Sequence, residues 1–231
     1  MSLYLILNIA SFSIPFIYSF EKKMRFIKWW KAVFLSIFIV AFFFLIWDVW
    51  FTKMGVWGFN PTYHINFTIL GLPLEEILFF ICIPYASIFT HYAVDYFFPK
   101  LQLSKKITNY ITITLVILSV VIIMFNTNKW YTLVNLLVFA LLLMYSYFTK
   151  NSILQKFYIT FLVILIPFFI VNGILTGSFI HNEVVWYNNA ENLGIRLFTI
   201  PIEDAFYAFS MLFANLILIE KFKAKFNKKM G

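Results

Sequence analysis

Seven stretches, near residues 3–20, 31–50, 73–98, 107–125, 130–149, 157–176 and 201–219, are each long and apolar enough to cross the hydrocarbon core of a bilayer. They leave almost no chain for a soluble domain. With 62% hydrophobic and 12% charged residues among 231, the expected class is all-α, a polytopic membrane protein with seven transmembrane helices. The first stretch has no basic residues before it, no small-residue cleavage pattern after it and six more spans behind it. It therefore reads as a helix and not as a secretion signal. The single cysteine, Cys82, falls inside the third span, which leaves no disulfide framework and no cysteine-rich metal site.

The net charge of +8 is explained by where the charges sit. Lys22, Lys23, Arg25, Lys28 and Lys31 follow the first span, Lys100, Lys105 and Lys106 the third, and Lys150 and Lys156 the fifth. Lys221, Lys223, Lys225, Lys228 and Lys229 form the tail, and only Lys53, Lys129 and Arg196 belong to the other face. The positive-inside rule then puts the chain in the cell membrane with its N-terminus outside and its C-terminus cytoplasmic. The partners expected of this charge are membrane lipid headgroups, not nucleic acid.

Two acid pairs stand where apolar runs begin. Pro73, Glu75 and Glu76 of "GLPLEEILFF" recur as Pro201, Glu203 and Asp204 of "TIPIEDAFYA", all three at one constant offset of 128 in the numbering. "VWGFN" at 56–60 likewise resembles "VWYNN" at 185–189. The spacing suggests two parallel three-helix repeats, 1–98 and 130–231, joined by a linking helix within 99–129. Both acid motifs then open at the same, non-cytoplasmic face.

Proline suits the first position of a helix, and a carboxylate in the first turn meets free N–H groups and the positive end of the helix dipole. For a lone glutamate that capping role is a sufficient account. Four carboxylates in matching places are not so easily explained, because ionisable groups near hydrocarbon are costly and usually face an interior cavity. Adjacent helical residues point about 100° apart, so one acid of each pair is expected to face the gap between repeats while the other caps its helix. Below them lie Phe79 and Phe80 in one repeat and Tyr207 in the other, an aromatic pattern that is more often plain packing surface. Asp48 in "IWDVW" and Asn172 in "VNGILTG" end the spans before the acid motifs, each within reach of an acid or simply interfacial. Trp57 and Trp186 sit in outer loops, where tryptophan is a common anchor, and their matched placement suggests faces that stabilise a cation. His64, His91 and His181 make no metal-binding spacing, and neither a G-x-G-x-x-G nor a P-loop is present.

On "PLEE" at 73–76, "PIED" at 201–204 and "NGILT" at 172–176, the chain resembles the membrane-integral lycopene cyclases. These occur as heterodimers in some bacteria, as fused chains in archaea and other bacteria, and as the cyclase domain of fungal bifunctional carotenoid enzymes. The motifs match the family's P-x-E-[ED] and N-x-x-L-T patterns, and the two-by-three-helix plan covers nearly the whole chain. The first repeat lacks N-x-x-L-T and has Asp48 in that neighbourhood, so the asparagine's role carries over to Asn172 alone. The resemblance implies cyclisation of lycopene or a related linear carotenoid end without redox change and without a flavin; β-ionone rings are the expected product, and no metal is expected from the residue spacing. The substrate would be a lipid-soluble carotenoid, and a homo-oligomer is left open.

Closing such a ring requires a proton on a terminal alkene, a shielded carbocation and the loss of a different proton. A dehydrated carboxyl group beside a second carboxylate keeps its proton toward neutral pH, and aromatic faces in a dry site protect the cation. An acid that holds its proton is a weaker donor toward an alkene, so ion pairing with the new cation must offset that. Glu75, Glu76, Glu203 and Asp204 are thus expected to supply donor, base and counter-charge, with Asn172 orienting one of them. Phe79, Phe80, Tyr207, Trp57, Trp186 and Asp48 are expected on the substrate side. The alternatives are a cyclase giving ε or γ rings or acting on another carotenoid, and a proton-coupled carrier of the SWEET type, which shares the helix plan.

Overall fold

The computed structural model describes residues 2–227, and Lys228 and Lys229 of the basic tail lie outside the described residues. The helices are α1 (Leu3–Tyr18), α2 (Trp30–Met54), α3 (Leu74–Phe97), α4 (Lys105–Phe125), α5 (Trp130–Phe148), α6 (Ile153–Leu175) and α7 (Glu203–Asn227). Six of them are long and apolar enough to cross a membrane. The exception, α1, has 16 residues, about 24 Å of helix against about 30 Å of hydrocarbon. Many of the large apolar side chains on these helices face outward, Phe42, Phe43, Leu162 and Ile166 among them. That is the surface of a multi-pass membrane protein, with lipid in place of water.

Helix starts follow local chemistry. Ser2 accepts the Leu5 N–H at the start of α1, and Ser104 accepts that of Ile107 at the start of α4. The carboxylate of Glu191, from a distant loop, accepts the Trp130 N–H at the start of α5 at 3.1 Å.

The loops hold short strands that the apolar pattern does not announce. Strand β1 (Trp57–Phe59) pairs antiparallel with β4 (Val185–Tyr187), β2 (Thr68–Ile69) with β3 (Leu72–Pro73), and β5 (Arg196–Leu197) with β6 (Ile200–Pro201). The two hairpins are related by the same offset as the acid motifs, and both turn through a left-handed residue, Leu70 at φ 55° and Phe198 at φ 58°. The β1–β4 ladder centres on Gly58 opposite Trp186, and reciprocal bonds flank it: Asn60 N–H to Val184 O and Asn188 N–H to Val56 O, both 2.9 Å. Gly58 and Trp186, Asn60 and Asn188, and Val56 and Val184 are again pairs related by that offset.

Pro73 and Pro201 are strand residues here, not first helical residues. Pro73 is the N-cap of α3, with φ −57° and ψ 147°. Each proline ends a hairpin and delivers the chain straight into the acid-bearing helix.

Two compact units result. Of the described residues, the first contains 2–53, 61–99 and 211–227. In it α1 packs along α3, and the buried Tyr85 is the centre of an aromatic group. Its hydroxyl meets Ser19 at 2.6 Å and Trp30 at 3.0 Å, and its ring meets Phe12 and Phe34. The second contains residues 54–60 and 100–210, so α4 belongs to it and α7 is divided after Ser210. Here α4 packs along α5, and Phe209 is ringed by Phe139, Phe157 and Phe161.

Candidate functional site

In the first unit the β2–β3 hairpin leads into α3, whose first turn carries Glu75 and Glu76. Gly71 at φ +92° completes the turn with a backbone that other residues rarely adopt. Glu75 has no exposed surface and Glu76 very little. Oε1 of Glu75 accepts two hydrogen bonds, from Ser2 Oγ at 2.5 Å and from the Ile65 N–H at 2.8 Å. The Asn8 side-chain amide donates to the Glu75 backbone carbonyl at 2.8 Å. Glu76 Oε2 accepts the hydroxyl of Tyr4.

The second unit repeats this arrangement. Glu203 is fully buried and Asp204 nearly so. Oε1 of Glu203 accepts from Thr132 Oγ1 at 2.7 Å and from the Leu193 N–H at 2.8 Å, and Asn135 donates to the Glu203 carbonyl at 2.6 Å. Asp204 accepts hydroxyls from Tyr131 at 2.5 Å and Tyr187 at 3.0 Å. In both units the first acid is therefore held by a hydroxyl, a loop N–H and an asparagine, and the second by tyrosine.

Further aromatic rings pack on the tyrosines that bind the second acid of each pair. Tyr4 meets Phe79 edge-on at 6.2 Å, and Phe79 meets Phe80 at 6.0 Å. In the second unit Trp57 packs edge-on against Tyr131 at 5.2 Å, Tyr187 at 6.2 Å and Tyr207 at 6.3 Å. Tyr131 and Tyr187 stack at 5.7 Å.

Trp186 does not join that cluster. The resemblance of "VWGFN" to "VWYNN" is one residue out of step with the offset that relates the acid motifs, and a slip of one residue turns a strand side chain to the opposite face. Trp57 pairs with Tyr187 and is buried, whereas Trp186 pairs with Gly58 and is half-exposed, its indole lying over the glycine.

Asn172 is not among the partners of the acids; the amide supporting Glu203 is Asn135. The N-x-x-L-T stretch instead acts through Thr176, whose hydroxyl meets that of Thr199 at 2.7 Å, as Ser178 does. This ties the end of α6 to the β5–β6 turn just ahead of the acids. At the offset of the acid motifs Asp48 corresponds to Thr176, and it is buried with Thr52 near its Oδ1.

Sequence reading missed Ser2, Tyr4, Asn8, Tyr131, Thr132, Asn135 and Tyr187. A signal for four of them was present: "YLILN" at 4–8 and "YTLVN" at 131–135 both place a tyrosine and an asparagine four apart on one helix face.

Comparison with known proteins decides the family. A family model described as lycopene cyclase matches residues 1–94 and 128–222. The chain belongs to the lycopene cyclase family. Membership makes it an enzyme of carotenoid cyclisation with a lipophilic carotenoid as substrate. Each block of the lycopene cyclase match contains one acid pair with its tyrosine and asparagine, and the stretch between the blocks holds α4. No curated protein and no solved structure matches the chain.

Proposed function

We propose that this enzyme closes the linear end group of lycopene to a β-ionone ring by proton transfer alone, using Glu75 with Glu76 and Glu203 with Asp204. The observation carrying this reading is the dehydrated carboxyl pair in each unit, set among hydroxyls and aromatic rings. One carboxyl group adds a proton to the terminal alkene, and the neighbouring double bond attacks the resulting tertiary cation. A carboxylate then removes a proton from the adjacent carbon, so the product has the mass of the substrate. The faces of Phe79 and Phe80, and of Trp57 and Tyr207, offer negative quadrupole density to the cation. Exclusion of water protects it from capture.

The carotenoid reaches the first unit from the bilayer. An apolar groove lined by Phe42 and Ile46 of α2 and by Ile69, Leu70, Leu72 and Ile77 runs beside the hairpin that leads to Glu75. The clustering of lysine behind the odd-numbered spans supports a cytoplasmic C-terminus and acid pairs near the outer face.

The test is expression in cells that accumulate lycopene. Monocyclic and bicyclic products of unchanged mass, with β rings by chromatography and NMR, are expected. Untouched lycopene beside confirmed membrane expression would refute the proposal, and ε or γ rings would refute the ring type.

A further inference from the structure

Among the described residues, two of the buried oxygens without a hydrogen-bond partner recur at matching places in the two units: Oδ1 of the asparagine and Oε2 of the first acid. In the first unit they belong to Asn8 and Glu75, in the second to Asn135 and Glu203. Chance orphans do not recur at matching places in two copies of one motif.

The bonds around each first acid fit one protonation state. A neutral carboxyl group has a carbonyl oxygen with two lone pairs to fill and a hydroxyl with one proton to give. Oε1 of Glu75 and Oε1 of Glu203 each receive two donors, a side-chain hydroxyl and a backbone N–H. Oε2 receives none. An ionised carboxylate would leave that oxygen bare in a site closed to water, a costly state. The asparagine is fixed by its N–H bond to the acid's own backbone carbonyl, which leaves its Oδ1 a buried acceptor without a donor. The second acids differ in how their donors are spread: Asp204 accepts a tyrosine hydroxyl on each oxygen, Glu76 accepts that of Tyr4 on Oε2, and neither leaves a buried oxygen bare as the first acids do. A donor on each oxygen suits the ionised form.

We infer that Glu75 and Glu203 carry the transferable proton on Oε2, kept there by Oδ1 of Asn8 and Asn135 as positioning residues, and that Glu76 and Asp204 are the resident anions. For its catalytic meaning this rests on the cyclase reading; the protonation pattern stands apart from it. In the reaction the Oε2–H bond breaks as the new C–H bond forms, leaving Glu75 or Glu203 ionised beside the carbocation. After ring closure, Glu76 or Asp204 takes the proton from the carbon next to the cation, whose C–H electrons become the ring double bond. The substrate gains one proton and loses another. Return of a proton from the second acid to the first restores the site.

Infrared spectroscopy of the full chain in lipid vesicles tests the assignment without any turnover, through the C=O stretch of protonated carboxyl groups, which is separate from the carboxylate bands. At neutral pH two such bands are expected. Glu75→Gln should remove one and Glu203→Gln the other, while Glu76→Gln and Asp204→Asn should remove neither. Asn8→Ala and Asn135→Ala keep the acids and should move the corresponding band to higher frequency, giving a readout where a glutamate substitution fails to accumulate. Bands lost with Glu76→Gln or Asp204→Asn would reverse the assignment, and no protonated carboxyl at neutral pH would end it. An unmoved band in both asparagine variants would overturn the asparagines' part and assign the acceptor to water. Failure to convert lycopene in cells, with these bands as expected, would sink the cyclase mechanism and leave the protonation pattern standing.

Discussion

The side-chain amide of Asn135 donates to the backbone carbonyl of Glu203 at 2.6 Å, joining α5 to the first residue of α7. Asn8 makes the same bond from α1 to Glu75 on α3. Replacing Asn135 by leucine removes one buried hydrogen bond, and a loss of about 0.5–1.5 kcal/mol in unfolding free energy is expected. Denaturation in detergent micelles would measure it. An unchanged stability would mean that the bond exists without holding the helices.

The acid pairs separate a structural from a chemical role. If they only capped helices, Glu75→Gln, Glu76→Gln, Glu203→Gln and Asp204→Asn would each cost roughly 0.3–1 kcal/mol of dipole interaction and spare activity. Acid–base work predicts a loss of about a hundredfold to ten-thousandfold in lycopene conversion for at least one substitution, at normal protein levels. Four near-wild-type variants would remove the mechanism.

Tyr131 and Tyr187 both donate to Asp204, but not equally. The Tyr131 bond is 2.5 Å and buried, whereas the Tyr187 bond is 3.0 Å and half-buried. Tyr131→Phe should therefore lower activity more than Tyr187→Phe, and the double variant should be worse than either. Equal rates for the two single variants would argue against Tyr131 as the main support of Asp204.

Gly58 has no room for a side chain, because a Cβ there would come within 2.4 Å of the Trp186 ring. Gly58→Ala should displace the indole, shift tryptophan fluorescence and cost about 1–3 kcal/mol as overpacking. Adding Trp186→Ala should restore most of that stability. No recovery in the double variant would show that the strain lies elsewhere in the ladder.

Orientation is open to labelling. Single cysteines near Lys53 and Glu191, placed in a Cys82→Ser background, should react with a membrane-impermeant reagent applied to intact cells. Those near Lys105 and Lys225 should not. The reverse pattern would place the acid pairs at the cytoplasmic face.

Much of this was legible in the sequence for one reason: a membrane dictates long apolar helices, and duplication copies an acid motif at a fixed interval. The helices and the placement of Glu75, Glu76, Glu203 and Asp204 at helix starts follow from those two facts. The partners of the acids were hidden by arithmetic. The step from Tyr4 to Tyr131, and from Asn8 to Asn135, is one position shorter than the step from Glu75 to Glu203, so comparison at a constant interval passes over them. The first hydroxyl donor differs in kind, Ser2 at a helix cap in one unit and Thr132 inside a helix in the other. Trp186 misled in the opposite direction, because an identical dipeptide one residue out of step turns a different face. The strands were invisible, since two- and three-residue ladders lack the alternation that marks longer ones.

Ser36 donates its hydroxyl to the backbone carbonyl and the side chain of Asn215, at 2.9 and 2.7 Å. Its partner lies far along the chain, in the part of α7 that completes the first unit. The order of synthesis therefore matters. When α2 leaves the ribosome the Ser36 hydroxyl has no Asn215 to meet, and it stays so while five further helices are made and inserted. Nearly the whole chain must enter the bilayer before its earliest helices can finish folding. A stop codon anywhere ahead of Asn215 would accordingly spoil the N-terminal helices as well as the missing end, so truncated chains should be recognised and degraded as whole molecules.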